Sequence, residues 1–236
     1  MYRRAVILAG GLGTRLNPYT IILPKPLMPV GEYPVLEIVI RQLAYHKFKQ
    51  ITMAVNHQAD LIQAFFGDGS KWNIHIDYSV EDIPLSTMGP LKLIKNLPED
   101  FLVMNGDILT DLDYGELFDE HIKKGSIFTI ASSIREQISE FGILEVDEKD
   151  FLTGFKEKPV VKFQVSTGIY MLNKKVLHYL PNGRPCGFDK LMLDLLKSKE
   201  KIKVKKHLGY WLDIGRADDY VQANKEFDGI RNKLLK

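Results

Sequence analysis

The sequence predicts an α/β fold in which a mainly parallel sheet is flanked by helices. Two observations carry that prediction. Residues 3–9 form an apolar run ending in Gly10-Gly11, as a strand buried on both faces does. The first half of the chain then alternates strand-like and helix-like segments, which is the pattern of strand–helix–strand units.

The elements follow in order. After the first strand, a loop rich in Gly, Pro and Thr runs to about residue 33. Leu36, Val39, Ile40, Leu43 and Ala44 recur at helical spacing within 34–48. Gln50–Val55 reads as a second strand, Asp60–Phe66 as a short helix closed by Gly67-Asp68-Gly69, and Ile74–Tyr78 as a third strand. Pro90–Leu97 suggests a helix, with Pro90 tolerated in its first turn. Phe101–Met104 is a short apolar strand leading into Asn105-Gly106-Asp107. In the second half, strands are expected at 126–133, 142–146, 152–156 and 168–172, and helices at 114–123, 174–180, 187–198 and 216–228. The segment 231–236 reads as a frayed helix end. Nothing marks a linker, a repeat or a low-complexity segment, so one domain over 1–236 is expected. The change of pattern suggests two lobes, about 1–110 and 111–236.

The chain has 236 residues, 45% of them apolar and 26% charged, with a net charge of +2. That length buries one substantial core. A balance so near neutrality gives no reason to expect nucleic acid or a membrane surface as partner. The opening apolar run is too short for a signal peptide or a membrane span. Cys186 is the one cysteine, so no internal disulfide forms and a reducing, cytoplasmic compartment fits. Nothing near Cys186 resembles a base that would make it a nucleophile. The six histidines, His46, His57, His75, His121, His178 and His207, show no ligand spacing. Lysines at 199–206 partly alternate with apolar residues, as on a solvated strand face.

The most specific motif is Leu8-Ala9-Gly10-Gly11-Leu12-Gly13-Thr14-Arg15-Leu16, followed by Pro24-Lys25-Pro26. Glycines after a buried strand let the backbone approach a ligand, and successive N–H groups can cradle an anion. Arg15 offers a planar fork for phosphate oxygens, and Lys25 a compact charge near an α-phosphate. A dinucleotide fingerprint would need a third glycine and an immediate helix, which Pro18 opposes. A P-loop would need Gly-Lys-Ser/Thr, which is absent. Asn105-Gly106-Asp107 ends a strand, where open α/β sheets bind ligands. Tyr210-Trp211-Leu212-Asp213-Ile214-Gly215 sets a second aspartate in apolar surroundings. Two carboxylates can hold Mg²⁺ between protein and phosphate oxygens, and each could equally cap a turn or helix.

The glycine motif with its downstream Pro-Lys-Pro resembles the signature of the sugar-phosphate nucleotidylyltransferases, and later motifs extend the resemblance over nearly the whole chain. It implies a three-layer, Rossmann-like fold of the nucleotide-diphospho-sugar transferase type. It implies a nucleoside triphosphate and a sugar 1-phosphate as substrates and Mg²⁺ as cofactor. The implied nucleotide site is Leu8, Ala9, Gly10, Gly11, Gly13, Thr14, Arg15, Glu81, Pro84 and Gly89. Arg15, Lys25 and Asp107 are the implied catalytic residues, and Asp107 and Asp213 the metal ligands.

Phe141-Gly142-Ile143-Leu144 resembles an aromatic-Gly-Val segment whose backbone meets the sugar. Phe155-Lys156-Glu157-Lys158-Pro159 resembles the Glu-Lys-Pro motif, with Glu157 on the sugar and Lys158 on its phosphate. Val165-Ser166-Thr167-Gly168-Ile169-Tyr170 matches a strand lining the sugar pocket. Asn105, Gly142, Glu157, Lys158, Thr167 and Gly168 are thus the implied sugar-phosphate site.

The base-reading segment Glu81–Leu91 departs from the family pattern. Ser86 stands where relatives have glycine, and Met88 where they have a small residue, so Met88 either reshapes the base pocket or points into the core. The Gly89-Pro90-Leu91 ending resembles mannose-type guanylyltransferases. Phe66–Ser70 resembles short bacterial guanylyl- and uridylyltransferases. The resemblance therefore points to GTP with a manno-configured sugar or heptose 1-phosphate. Uridylyl-, cytidylyl- or thymidylyl transfer to another sugar 1-phosphate is the alternative. A non-catalytic subunit that binds nucleotide-sugar is the alternative of another class. Relatives often form homodimers or homotetramers. The C-terminal β-helix or extra domain of longer relatives is not seen in the sequence, so fused acyl transfer is not expected.

Overall fold

The computed structural model describes residues 2–56 and 58–235, and His57 lies outside them. Among the described residues, thirteen strands and five α-helices follow in the order β1 (Arg4–Leu8), β2 (Pro29–Val30), β3 (Tyr33–Pro34), α1 (Val35–Tyr45), β4 (Gln50–Val55), α2 (Ala59–Phe66), β5 (His75–Val80), β6 (Asp100–Asn105), β7 (Ile108–Thr110), α3 (Tyr114–Lys124), β8 (Phe128–Ile138), β9 (Ile143–Val146), β10 (Leu152–Lys156), β11 (Val160–Asn173), α4 (Phe188–Lys197), β12 (Ile202–Lys206), β13 (Trp211–Asp213) and α5 (Ala217–Leu234).

The main sheet has seven strands in the order β12-β8-β11-β6-β1-β4-β5. β1 pairs in parallel with β4 and β6, β4 with β5, and β12 with β8. β11 runs antiparallel to both its neighbours. The expected mixed, mainly parallel sheet is therefore present.

Both faces of the central strands are buried, which explains their unbroken apolar runs. Ala5 and Ile7 of β1 enter one core with Leu36, Val39, Ile40 and Leu43 of α1, Ile62 and Phe66 of α2, and Leu117 and Phe118 of α3. Val6 points the other way, into a second core with Met88, Cys186, and Leu191 and Leu195 of α4. This alternation repeats in β6, where Leu102 and Met104 face the first core and Phe101 and Val103 the second. A third cluster joins Ala223, Phe227 and Leu234 of α5 to Leu109, Leu212 and Ile214. It fastens the last helix against the small sheet formed by β7 and β13.

Several expectations need correction. Pro90–Leu97 is not an α-helix; only a 3₁₀ turn forms, over Gly89–Lys92. Asn96 has φ 57°, in the left-handed region, and Pro98 follows, so neither continues a helix. The expected helix at 174–180 is likewise a 3₁₀ helix, Lys174–Tyr179, that Pro181 does not extend. Nor is the end of the chain frayed from 231, since α5 runs to Leu234 and that side chain is fully buried. The strands expected at 126–133 and 168–172 are the inner parts of longer strands, β8 and β11, whose outer halves project together with mostly exposed residues.

Candidate active site

β1 lies at the point where the sheet's connectivity reverses. The chain moves from β1 to β4 to β5 on one side, then returns to place β6 on the other. Loops leaving neighbouring strands there diverge and open a crevice beyond the strands' carboxyl ends. A cavity of about 510 Å³ occupies this position. Leu8, Ala9, Gly10, Gly11, Leu12, Gly13, Thr14 and Arg15 line it after β1; Ala54 and Asn56 at the end of β4; Glu81 after β5; and Asn105, Gly106 and Asp107 after β6. Lys25, Pro26, Pro84, Ser86, Thr87, Pro90 and Gly215 complete the lining.

Geometry crowds one of the loop's glycines and requires another. A Cβ on Gly10 would lie 3.2 Å from Glu81 Oε1 and 3.3 Å from Asn56 N. Gly13 has φ +64°, and a Cβ there would lie 2.9 Å from Thr20 Cγ2. The Thr20 hydroxyl also donates to Gly13 O at 2.8 Å, which fixes the loop's far end. Only one 3₁₀ turn, Thr14–Leu16, follows the loop, in keeping with the expectation that no helix starts at once.

Two strand ends bring the aspartates together. Asp213 pairs with Ile108 across the β13–β7 ladder, and Ile214 N donates to Asp107 O at 3.1 Å. Lys25 Nζ forms an ion pair with Asp107 Oδ2. Asp107 Oδ1 is buried and has no hydrogen-bond partner. Burial raises the Asp213 carboxyl above its ordinary value, and the Asp107 charge adds to this, opposed by Lys25 and Arg15. Arg15 reaches this region too, because Nη1 lies 3.6 Å from where a Cβ on Gly215 would stand. A bare buried oxygen beside a second, desolvated carboxylate suits a divalent cation. Among the described residues no three His, Cys, Asp or Glu side chains cluster, so other ligands to such a cation would be substrate oxygens or water.

Glu81, in the cavity lining, is anchored by the backbone. Its Oε2 accepts from Leu85 N–H at 2.8 Å, and burial raises its carboxyl above the ordinary value despite that bond. Ser86 adopts φ 64°, a left-handed conformation that explains the glycine of related patterns. Met88 is fully buried in the second core, so it does not shape the cavity. Gly89 is buried beside Leu85, its N–H donating to Cys186 O, and is not part of the cavity wall.

The expected sugar-side residues fall into two groups. Thr167 and Gly168 are buried behind Asn105; a Cβ on Gly168 would lie 2.8 Å from Asn105 Nδ2. Gly142, Glu157 and Lys158 belong to the projecting β9–β10 hairpin region, where Glu157 and Lys158 are exposed. A Cβ on Gly142 would meet Glu157 Oε2 at 3.1 Å and the Phe155 ring at 2.6 Å, so these three residues are neighbours. None of them lines the cavity. Sequence reasoning missed Asn56, Pro26, Thr87 and Gly215 as lining residues. Position at the end of the strand beside β1 was a usable signal for Asn56. No histidine among the described residues lines the cavity, and no helix is long and apolar enough to cross a membrane.

Comparison with known proteins decides the family. The nucleotidyl transferase family matches residues 4–228. The chain belongs to that family. It is 34% identical to a UTP–glucose-1-phosphate uridylyltransferase of Synechocystis, over 99% of this chain and 64% of that protein. It is 33% identical to a mannose-1-phosphate guanyltransferase of Yarrowia lipolytica, over 93% and 62% respectively. It thus spans less than two thirds of these relatives' length. The crystal structure of HddC from Yersinia pseudotuberculosis complexed with GMP-PN matches with a TM-score of 0.74 and 27% identity, covering 96% of this chain and 100% of that one. A structure from Bacillus anthracis, 23% identical, shares the fold at a TM-score of 0.76.

Proposed function

We propose that the chain transfers a nucleoside monophosphate from a nucleoside triphosphate to a sugar 1-phosphate, giving a nucleotide-sugar and pyrophosphate. The observation that carries this reading is the cavity lined by the glycine loop, Arg15, Lys25 and Asp107, with Asp213 close enough to Asp107 for their charges to interact. In this reading a sugar-phosphate oxygen attacks the α-phosphorus in line. The bond from that phosphorus to the bridging oxygen breaks, and pyrophosphate leaves. The attacking phosphate is already an anion, so no strong general base is needed. Catalysis rests on positioning and on neutralising charge.

Backbone N–H groups around Gly10, Gly11 and Gly13 cradle the triphosphate, with Leu8, Ala9, Thr14 and Pro84 completing the nucleotide wall. Arg15 holds the departing pyrophosphate, and Lys25 offsets charge building at the α-phosphorus. Asp107 and Asp213 would hold Mg²⁺, which supplies charge neutralisation to the phosphates when bound. Glu157 takes sugar hydroxyls and Lys158 the sugar phosphate, with Asn105, Gly142, Thr167 and Gly168 as further sugar-side residues. Residues 1–110 serve as nucleotide lobe and 111–236 as sugar lobe. The protein works in the cytoplasm as a homodimer or homotetramer, without nucleic acid or membrane.

GTP is the favoured donor, with a manno-configured sugar or heptose 1-phosphate as acceptor. One Glu81 oxygen is held by Leu85, while the other lies beside Gly10 at the cavity wall. The oxygen at the cavity wall can accept from an N–H donor on guanine. The guanyltransferase relatives and the GMP-PN complex of HddC agree with this choice. The Synechocystis relative makes UTP the second candidate.

The test is pyrophosphate release with Mg²⁺ across GTP, UTP, CTP and dTTP and a panel of sugar 1-phosphates. Release that requires both substrates is expected, with the best pair fixing base and sugar. No release from any pair, together with tight nucleotide-sugar binding by calorimetry, would overturn the enzymatic reading in favour of a binding subunit.

A further inference from the structure

A succession of contacts leads from Asn105 in the cavity lining to an arginine on the sheet's outer strands. The register between β8 and β11 shifts between Ser166 and Tyr170, so Thr167 and Gly168 bulge out of the ladder. Gly168, at φ +76°, presses against Asn105, which lines the cavity. Thr167 O in the same bulge accepts from the Trp211 indole N–H at 3.0 Å. Trp211 and Asp213 are two residues apart on β13, so their side chains leave the strand on the same side. Across the Trp211 ring lies the guanidinium of Arg135, its carbon 5.2 Å from the ring centroid.

Arg135 is exposed, and among the described residues no carboxylate pairs with it. This differs from its surroundings on the same strands. Lys162 pairs with Glu136, and Lys156 on the neighbouring hairpin with Glu145. The ring face limits the freedom of the guanidinium and leaves its N–H fork available. An unpaired fork held against the ring of Trp211, two residues before Asp213 on β13, suits a dianionic phosphate, which binds two N–H groups at once. Lys25 is already engaged by Asp107, and Arg15 stands at the nucleotide loop. Lys158 is one cation for the acceptor's phosphate, and Arg135 can supply a second, bidentate one.

We propose that Arg135, held against Trp211, binds the phosphate of the sugar 1-phosphate. The proposal rests on the transferase reading above and adds a residue to the acceptor side of that site. Its test compares wild type with Arg135→Ala, Arg135→Lys and Lys162→Ala, using the best substrate pair. Arg135→Ala raises KM for the sugar 1-phosphate at least tenfold and leaves KM for the triphosphate within twofold. Arg135→Lys recovers part of the loss, and Lys162→Ala behaves as wild type. An unchanged sugar 1-phosphate KM, or an equal rise in both KM values, overturns the proposal.

If wild type releases no pyrophosphate from any pair, the transferase reading fails and Arg135 is judged by binding alone. Calorimetric titration with mannose 1-phosphate then decides. Binding by wild type that is lost in Arg135→Ala supports the assignment. Equal binding by both, or binding by neither, overturns it.

Discussion

Gly168→Ala tests whether the bulge that carries the sugar-side wall is as tightly built as its geometry implies. The residue has φ +76°, and a Cβ there would stand 2.8 Å from both Asn105 Nδ2 and Ile108 Cδ1. Left-handed backbone costs an L-residue about 1–2 kcal/mol. Forcing a methyl group into a packed site costs about 1–3 kcal/mol more. Alanine's smaller unfolded-state entropy returns about 0.5–1 kcal/mol. The net loss is about 1–4.5 kcal/mol, and with a urea slope of about 3 kcal/mol per M the midpoint falls by about 0.3–1.5 M. Because Asn105 and the Thr167–Trp211 bond share the strained region, the variant also raises the sugar 1-phosphate KM. Urea unfolding followed by tryptophan fluorescence reads the first effect. Gly229→Ala is the matched control, since nothing lies within 4 Å of its Cβ position and it sits exposed inside α5. It gains about 0.5–1 kcal/mol from helix propensity. If Gly168→Ala unfolds at the same urea concentration as Gly229→Ala, the steric reasoning is wrong.

Three further predictions concern charge. Arg15→Ala lowers kcat about 100-fold, because the charge is asked to stabilise the transition state; an unchanged kcat in steady-state assays removes Arg15 from the chemistry. Asp213→Asn abolishes Mg²⁺-dependent turnover and the rise in Tm that Mg²⁺ gives the wild type; a variant that keeps the wild-type metal response refutes the ligand assignment. Burial raises the Glu81 carboxyl above its ordinary 4.5, so its contribution to stability is complete below that value and is lost as pH rises through the folded-state value. Glu81→Gln, which can still accept from Leu85 N–H, therefore gains on wild type as pH climbs from 4.5 through the folded-state value, while its preference for GTP narrows. A Tm difference that runs the other way with pH would contradict this.

The parts of the fold that were legible in the sequence are those with two buried faces or one. β1, β4 and β6 announce themselves because every side chain must be apolar between two helical layers. α1 shows its single buried stripe at helical spacing. β7 and β13 were missed because three residues carry no period, although their pairing is what sets Asp213 beside Asp107. The outer halves of β8 and β11 were also missed. Their burial is low on both sides, so alternation there separates nothing from solvent. At Pro90–Leu97, apolar spacing suggested a helix that the left-handed Asn96 and the following Pro98 do not sustain.

The candidate site divides along the same physical line. Backbone constraints are written locally, so the glycine loop could be read where it stands: Gly13 has a left-handed backbone with Thr20 pressed against it, and Glu81 and Asn56 crowd Gly10. Placement relative to a partner is written nowhere in the local sequence. Met88 could face pocket or core, and only the turn locked by Leu85 and Cys186 decides for the core. Glu157 and Lys158 read as a sugar motif by resemblance, and they are exposed and do not line the cavity, so local sequence alone does not place them against it. Arg135 carries no signal at all. A lone arginine on an exposed strand is ordinary, and its meaning comes from a tryptophan that reaches it only because β13 closes against β7 and the bulge at Thr167 accepts the indole N–H. A residue whose role depends on two such tertiary closures is found from the fold, and the substrate it serves must be found at the bench.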